Sequence, residues 1–239
     1  MPGSWPLGWA GISWIRRRTS ASTGAVKEKP DCVLGLATGS SPVGTYRELI
    51  RKYKNGETDF SRVKTVNLDE YVGLAPDHPQ SYRYFMDRNL FDSINIDKAN
   101  TRVPDGLAAD TAAFCEEYDA YIASLGGIDV QLLGIGVDGH IGFNEPGDCF
   151  IAGTHVAELD DSTIEANSRF FESRRDVPRT AITMGMKSIL CAKKIVLIAS
   201  GENKKNVLLE ALHGDVTPKV PASVLQLHPD VTVIYSDKI

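Results

Sequence analysis

The sequence lacks the features of a membrane protein and of a secreted protein. No apolar run in its 239 residues approaches the roughly 20 residues that a membrane-spanning helix requires. No export signal is recognisable, and the four cysteines form no C-x-x-C pair. We therefore expect a cytoplasmic protein with reduced thiols that spans no membrane.

Basic runs are also scarce. The formal net charge is −5, and no run of basic residues persists beyond the N-terminal segment. Nucleic-acid binding is therefore disfavoured, and any anion site must be local and built from a few donors. Hydrophobic residues make up 42% of the chain and charged residues 24%, which is enough apolar material for a large core.

The N-terminal segment has no acidic residue before Glu28. It contains all three tryptophans and the basic run Arg16–Arg18. An acid-poor start with arginine and serine can indicate an organelle transit peptide; the alternative, which we favour, is an unusual N-terminus with no part in the chemistry. Residues 1–25 are therefore treated as an atypical segment, disordered or non-native, and residues 26–239 as one α/β domain.

From Asp31 onward, short β-rich runs alternate with helical patterns, which predicts an α/β fold: a single-domain, open, mainly parallel sheet flanked by helices. The predicted strands are Cys32–Ala37, Val63–Leu68, Val130–Gly134, Ile195–Ala199 and Val231–Tyr235. The predicted helices are Val43–Asn55, Ser81–Leu90, Thr111–Ser124 and Lys204–Leu212, the third with an aromatic core-facing side. The connection Ala152–Pro178 is polar and irregular, as a lid often is.

The densest group of chemically active side chains lies between Asp138 and Pro146, directly after a predicted strand. This run contains Asp138, His140 and Glu145. Open α/β sheets bind ligands at the carboxyl ends of their strands. Histidine titrates near neutral pH, and two carboxylates can set its tautomer and its pKa. We therefore predict a proton-handling active site here.

The same run allows two other interpretations. Asp138 and His140 could ligate a metal ion, but the other four histidines show no ligand spacing such as H-E-x-x-H. The glycines of Gly134–Gly139 match a dinucleotide-binding pattern, yet this pattern runs into Pro146 instead of opening a helix after the first strand. We expect neither a metal ion nor a nicotinamide cofactor.

An anion cradle is predicted after the first strand. Thr38, Ser40 and Ser41 supply hydroxyls, and Gly39 lets the backbone approach a ligand closely. Ser41 is expected to cap the next helix, with Pro42 at its first position, and the helix start adds free N–H groups. A nucleotide P-loop is excluded because the G-K-[ST] ending is absent. A merely well-capped helix is the alternative.

Three further charged side chains are candidates for the site. Asp69 ends the second predicted strand, where its carboxylate could act as a general base or simply cap the next segment. Lys204 starts a predicted helix, and Arg169 lies in the lid segment. Each cation could be an ordinary surface charge, but beside the cradle both would supply the charge that N–H groups lack.

Taken together, the sequence resembles the glucosamine-6-phosphate deaminases. The matching segments, in the family's order, are Leu34–Tyr46, Asn67–Leu74, Gly134–Pro146, Asn167–Phe171 and Leu225–His228. The resemblance implies a Rossmann-like fold of the sugar-phosphate isomerase type. It also implies conversion of glucosamine 6-phosphate and water into fructose 6-phosphate and ammonia, in amino-sugar catabolism, without a metal or an organic cofactor.

The resemblance further implies a role for each candidate residue. His140 would open the pyranose ring, assisted by Asp138 and Glu145. Asp69 would take the C2 proton and return a proton at C1. The substrate phosphate would be bound by Thr38, Gly39, Ser40, Ser41, Arg169 and Lys204.

The sequence also departs from the family's pattern. The usual first strand and helix are not recognisable in Met1–Ala25. Hexameric, allosterically activated members carry basic residues after the N-E-P motif and a longer C-terminal region, whereas this chain has Gly153–Ala157 and ends at Ile239. We therefore expect a monomer or small homo-oligomer that N-acetylglucosamine 6-phosphate does not activate.

Two rival functions remain. The 6-phosphogluconolactonases have a similar fold and a D-G-H loop, but theirs continues as T-A-S-L-F-P, whereas here Phe143–Pro146 follows and contributes Glu145. A sugar-phosphate sensor would need an attached DNA-binding module, and no helix-turn-helix pattern is present.

Overall fold

The computed structural model describes residues 22–169 and 171–237. Most of the N-terminal segment, with the transit-peptide interpretation that rests on it, lies outside the described residues, and so does Phe170 of the matching segments. A six-stranded parallel sheet has the order β4-β2-β1-β5-β8-β9, and a three-stranded antiparallel sheet has the order β3-β7-β6.

The strands are β1 (Val33–Leu36), β2 (Lys64–Asn67), β3 (Asp69–Tyr71), β4 (Thr101–Arg102), β5 (Val130–Gly134), β6 (His155–Glu158), β7 (Thr180–Thr183), β8 (Ile195–Ser200) and β9 (Val231–Ser236). The helices are α1 (residues 22–28), α2 (Val43–Lys54), α3 (Tyr82–Asn89), α4 (Thr111–Ser124), α5 (Asp161–Ser168), α6 (Met186–Leu190) and α7 (Lys205–His213). The predicted α/β class and the nine predicted elements are confirmed, with each end within one residue.

The core lies on both faces of the parallel sheet, because alternate residues of each strand point to opposite sides. On one face, Leu133 and Leu197 pack with Tyr118 of α4 and Leu208 of α7. On the other face, the neighbouring strand residues pack against α1, α2 and α3; they include Leu34, Leu132 and Val196. The predicted apolar face of α4 is confirmed, since Tyr118 and Ile122 are buried.

The small antiparallel sheet was not predicted. The chain continues from β2 through Leu68, whose N–H donates to Leu36 O and whose carbonyl accepts from Met184 N, and then enters β3 in the second sheet. The description of 152–178 as irregular is wrong, because this segment contains β6 and α5. The predicted cap of the helix after the anion loop is wrong, because Pro42 and not Ser41 occupies its N-cap position.

The strand order positions the ligand site. From β1 the chain proceeds to β2 and β4 on one side, and then crosses to β5 on the other side of β1. This reversal makes the carboxyl ends of β1 and β5 a topological switch point, where open α/β sheets form a crevice. The loop that carries the predicted anion cradle, residues 37–42, and the loop that carries His140, residues 135–146, both leave the sheet there. Among the described residues, no helix combines the length and the apolar character needed to cross a bilayer.

Candidate active site

His140 lies between two carboxylates. Its Nδ1 is 2.8 Å from Asp138 Oδ1 and 3.2 Å from Glu145 Oε2, close enough for an ion pair with both but without the geometry of a hydrogen bond to either. Burial alone would lower the pKa of His140, but the close contacts with the negatively charged Asp138 and Glu145 outweigh it and raise the pKa to about 9. Burial works against ionisation of Asp138, yet the contacts with His140 hold the pKa of Asp138 well below its usual range. The pair is therefore an imidazolium and a carboxylate at neutral pH.

The loop that carries this trio is tightly built. A Cβ added to Gly136 would lie 2.4 Å from the His140 ring, so only glycine leaves room for the imidazole. Asn144 donates from Nδ2 to Ile141 O and Met184 O, both at 2.9 Å. The Phe143 N–H donates to Thr183 Oγ1 at 3.0 Å. The last two contacts tie the loop to β7 and to the residue after it, so the small sheet fixes the position of His140.

Asp69 and Glu70 are adjacent carboxylates with different surroundings. Asp69 is 5% exposed and lines the cavity described below. Burial and the repulsion by Glu70 raise the pKa of Asp69 to about 7, against the opposing effects of His140 and of a hydrogen bond from Thr38. Glu70 faces away from the cavity. It accepts hydrogen bonds from the N–H group of Tyr71 in β3 and from those of Tyr82 and Arg83 at the start of α3. The capping role that we considered for Asp69 therefore falls to Glu70.

A single cavity of about 230 Å³ brings nine of the ten predicted site residues together. Those nine are Thr38, Gly39, Ser40, Ser41, Asp69, Asp138, His140, Arg169 and Lys204. The tenth, Glu145, lines a neighbouring cavity instead, and its side chain is 8% exposed. Glu145 lies beside the cavity and contacts His140 from outside it.

The two predicted cations line the same cavity as the predicted hydroxyls. Arg169 is the C-cap residue of α5, and Lys204 immediately precedes α7. Burial lowers the pKa of Lys204, and the charge of Arg169 lowers it further, while Asp138 opposes both effects. An anion such as a phosphate monoester, bound beside the desolvated Lys204 and the nearby charge of Arg169, would be stabilised by both cations.

A metal ion fits this site less well than a proton. Within the searched part of the chain, Asp138, His140 and Glu145 are the one group whose ligand atoms lie within 4.8 Å of one another. An ion there would have to displace the proton on His140 Nδ1. Because both carboxylates raise the pKa of that nitrogen, the proton is held strongly, and the trio suits acid–base chemistry better than metal binding. The loop at Gly139 has φ 90° and opens no helix, unlike the glycine-rich turn of a dinucleotide-binding fold.

Three further polar side chains line the cavity and were not predicted as site residues from the sequence: Tyr82, Thr163 and Asn167. Thr163 donates from Oγ1 to Glu145 Oε1 at 2.7 Å. Thr163 and Asn167 are four residues apart and therefore on one face of α5, a spacing that recognition of this helix would have revealed. The polar face was overlooked because the segment was interpreted as a loop.

Comparison with known proteins agrees with this geometry. The family model described as glucosamine-6-phosphate isomerases/6-phosphogluconolactonase matches residues 13–234. The glucosamine-6-phosphate deaminase of Lachnoclostridium phytofermentans is 60% identical, over 92% of this chain and 93% of the relative. The deaminase of Clostridium perfringens strain ATCC 13124 is 58% identical, over 89% of this chain and 88% of the relative.

Comparison with solved structures also shows similarity to a glucosamine-6-phosphate deaminase. A monomeric glucosamine-6-phosphate deaminase superposes with a TM-score of 0.90 at 45% identity, over 93% of this chain and 92% of that chain. The 6-phosphogluconolactonase of Thermotoga maritima, at 20% identity and a TM-score of 0.70, shares the fold alone. On the family match, the identities and the coverage, this chain belongs to the glucosamine-6-phosphate deaminase family.

Proposed function

We propose that this chain converts glucosamine 6-phosphate and water into fructose 6-phosphate and ammonia. The observation that carries the proposal is the presence of two separate acid–base centres in one cavity, Asp69 and the imidazolium of His140. The names and identities of the relatives support the same reaction. Isomerisation with deamination needs both centres, because one opens the sugar ring and the other moves a proton between carbons.

His140 is suited to open the pyranose ring. Ring opening places a proton on the ring oxygen and removes one from the C1 hydroxyl, so it needs a group that can give and take a proton. The raised pKa keeps His140 protonated at neutral pH, ready to donate. Asp138 is ionised beside it and keeps the imidazole oriented, while Glu145 supports the ring from behind the cavity.

Asp69 is suited to the carbon chemistry. In the open chain it would remove the C2 proton, which gives an enolamine, and then return a proton to C1. The resulting imine at C2 takes up water and releases ammonia, which leaves the ketone of fructose 6-phosphate. A base has to titrate near the working pH, and the pKa of about 7 for Asp69 meets that requirement.

The phosphate would bind at the other end of the cavity. The hydroxyls of Thr38, Ser40 and Ser41, the backbone at Gly39, and the cations Arg169 and Lys204 offer donors and charge for a dianion. Binding there is remote from C1 and C2, so its energy can orient the reacting carbons.

The remaining expectations are part of the same proposal. We infer a cytoplasmic enzyme of amino-sugar catabolism that is a monomer or small homo-oligomer, which the monomeric solved relative supports. Residues 26–239 would form its catalytic domain; the helix at residues 22–28, with Val26 buried, extends ordered structure slightly upstream. N-acetylglucosamine 6-phosphate should not activate it, and a rate that rises on adding this compound would contradict that inference.

A paired assay tests the function. Purified protein is given glucosamine 6-phosphate or 6-phosphogluconolactone in parallel, and ammonia and lactone hydrolysis are measured. We expect ammonia and fructose 6-phosphate from the first substrate and no acceleration of lactone hydrolysis. Hydrolysis of the lactone without ammonia release would assign the lactonase reaction instead. Binding of glucosamine 6-phosphate without turnover would indicate a sensor.

A further inference from the structure

Glu145 accepts one hydrogen bond and makes one ion-pair contact, each through a different carboxylate oxygen. Thr163 Oγ1 donates to Oε1 at 2.7 Å, and His140 Nδ1 lies 3.2 Å from Oε2. Both Thr163, at 5% exposure, and the Glu145 side chain are buried. The carboxylate is thus clamped between the hydroxyl and the imidazole.

The Thr163 hydroxyl stabilises the buried carboxylate of Glu145. A buried carboxylate oxygen without a donor is costly, and the side chain then rotates or moves until it finds one. Glu145 belongs to a loop and has no regular secondary structure of its own to fix it. A donor on Oε1 leaves Oε2 as the oxygen that faces His140.

Thr163 connects this clamp to other residues that line the cavity. It lies on α5, which also carries Asn167, and Arg169 follows directly as the C-cap residue. All three side chains line the cavity. The same helix therefore contacts the support of the ring-opening group and the region assigned to the phosphate.

We propose that Thr163 is a positioning residue for ring opening, whose hydroxyl holds Glu145 against His140 and ties that pair to α5. The expected effect on turnover rests on the proposed function, whereas the expected effect on how Glu145 is held against His140 does not. In the kinetic prediction, loss of the hydroxyl weakens the support of His140 and slows turnover, while the phosphate contacts and hence substrate binding remain.

Several charges act on the clamp and must be counted in any pH experiment. Asp138, Glu145 and the more distant Asp69 act on His140 or are acted on by it. Asp160, which precedes α5, feels Glu145, Asp138 and His140. Lys204 faces Asp138 from the start of α7. None of these groups is altered by a substitution at Thr163, so a changed titration of His140 reports on Glu145.

Three variants separate the hydroxyl from its surroundings. Thr163→Val keeps the shape and removes the donor, and Thr163→Ser keeps the donor and removes a methyl group. Ser168→Ala serves as a control, because it removes a different hydroxyl from α5, one that donates to Glu165 O on the exposed side. Each variant is checked for cooperative unfolding before use.

The first readout is steady-state ammonia release. We expect Thr163→Val to lower kcat about tenfold with KM within about twofold of the wild type, the loss expected for one hydrogen bond to a charged group. Thr163→Ser should recover most of that loss, and Ser168→Ala should match the wild type. A Thr163→Ser variant as slow as Thr163→Val would overturn the proposal, because the methyl group and not the hydroxyl would then matter.

The second readout does not depend on activity. The His140 ring is titrated by NMR in ¹⁵N-histidine-labelled protein, with its signal assigned by comparison with His140→Gln. We expect the pKa of His140 to be lower in Thr163→Val than in wild type and restored in Thr163→Ser. An unchanged pKa in Thr163→Val would refute the clamp. If the wild type released no ammonia, the proposed function would fail while this titration still decided the role of Thr163.

Discussion

At the scale of single residues, the site depends on where neighbouring side chains point. Asp69 and Glu70 are consecutive in a strand, so their carboxylates face opposite sides. One lines the cavity and the other caps α3. From the sequence, the roles of base and cap were both open for Asp69 and none was assigned to Glu70, because the choice depends on the direction of a three-residue strand that pairs with β7, more than a hundred residues away.

Asp69 should make the protein less stable as the pH rises. The folded state raises the pKa of this carboxyl to about 7, so it holds the proton more tightly than the unfolded chain does. Stability contributed by that proton is present below the unfolded pKa of about 4 and is lost as the pH rises through the folded value. We expect the free energy of unfolding of Asp69→Asn, relative to wild type, to increase by about 4 kcal/mol between pH 4 and pH 8.

Urea unfolding of both proteins at several pH values measures this difference. The control is Asp77→Asn, which removes a carboxyl from an exposed turn. A difference for Asp69→Asn that does not change with pH would mean that Asp69 is not desolvated, and would contradict its assignment as a base near neutral pH.

Gly136 should be intolerant of a side chain. In Gly136→Ala the new Cβ would lie 2.4 Å from the His140 ring, so the imidazole must move away from its carboxylates. We expect kcat to fall by about 100-fold, the usual contribution of a positioned acid–base group. Gly147→Ala is the matched control, since its Cβ would meet only ordinary contacts at 3.8 Å. Equal kcat values for the two alanine variants would contradict the close packing around His140.

At the scale of elements, the sequence predicts the large sheet better than the small one. The strands β1, β5 and β8 are mostly apolar and buried along nearly their whole length, and β2 and β9 contain β-branched residues, so all five have a pattern that is visible locally. The strands β3, β6 and β7 are three or four residues long and include Asp, Glu, His and Thr. Such strands form because they pair with strands distant in the sequence, and the local sequence pattern does not predict this pairing. Helix α5 was missed for the same reason, because its sequence is polar and short.

Asn144 should be necessary for attaching the active-site loop to the small sheet. Its amide donates to Ile141 O and Met184 O in a buried position. Asn144→Asp would turn a carboxylate towards two carbonyl oxygens, and we expect it to destabilise the fold by about 3 kcal/mol. Equilibrium urea unfolding measures the effect. Asn206→Asp, on the exposed first turn of α7, should change stability by less than about 0.5 kcal/mol. A similarly small effect at Asn144 would show that the loop is held in another way.

At the scale of the whole molecule, the topology explains why a site could be predicted from loops far apart in sequence. Polar clusters after β1, β2 and β5 had to meet, since the carboxyl ends of parallel strands share one edge. The sequence could not predict that Glu145 lies behind His140 and outside the cavity, because that depends on how the loop packs against β7 and α5.

The two acid–base centres should together give a bell-shaped pH profile. Asp69 acts as a base only when ionised, so kcat/KM should rise as the pH increases through about 7. His140 acts as an acid only when protonated, so kcat/KM should fall above about 9. Initial rates of ammonia release from pH 5 to pH 10 at low substrate concentration provide the profile. A flat rate between pH 5 and pH 7 would be incompatible with Asp69 as the base.

The most direct test of the account is ammonia release from glucosamine 6-phosphate by wild type, Asp69→Asn and His140→Gln, each verified as folded. The account predicts release by the wild type, a decrease in kcat of at least about 1,000-fold for Asp69→Asn, and a decrease of about 100-fold or more for His140→Gln. A folded wild type that releases no ammonia, or an Asp69→Asn variant that retains wild-type turnover, would contradict it.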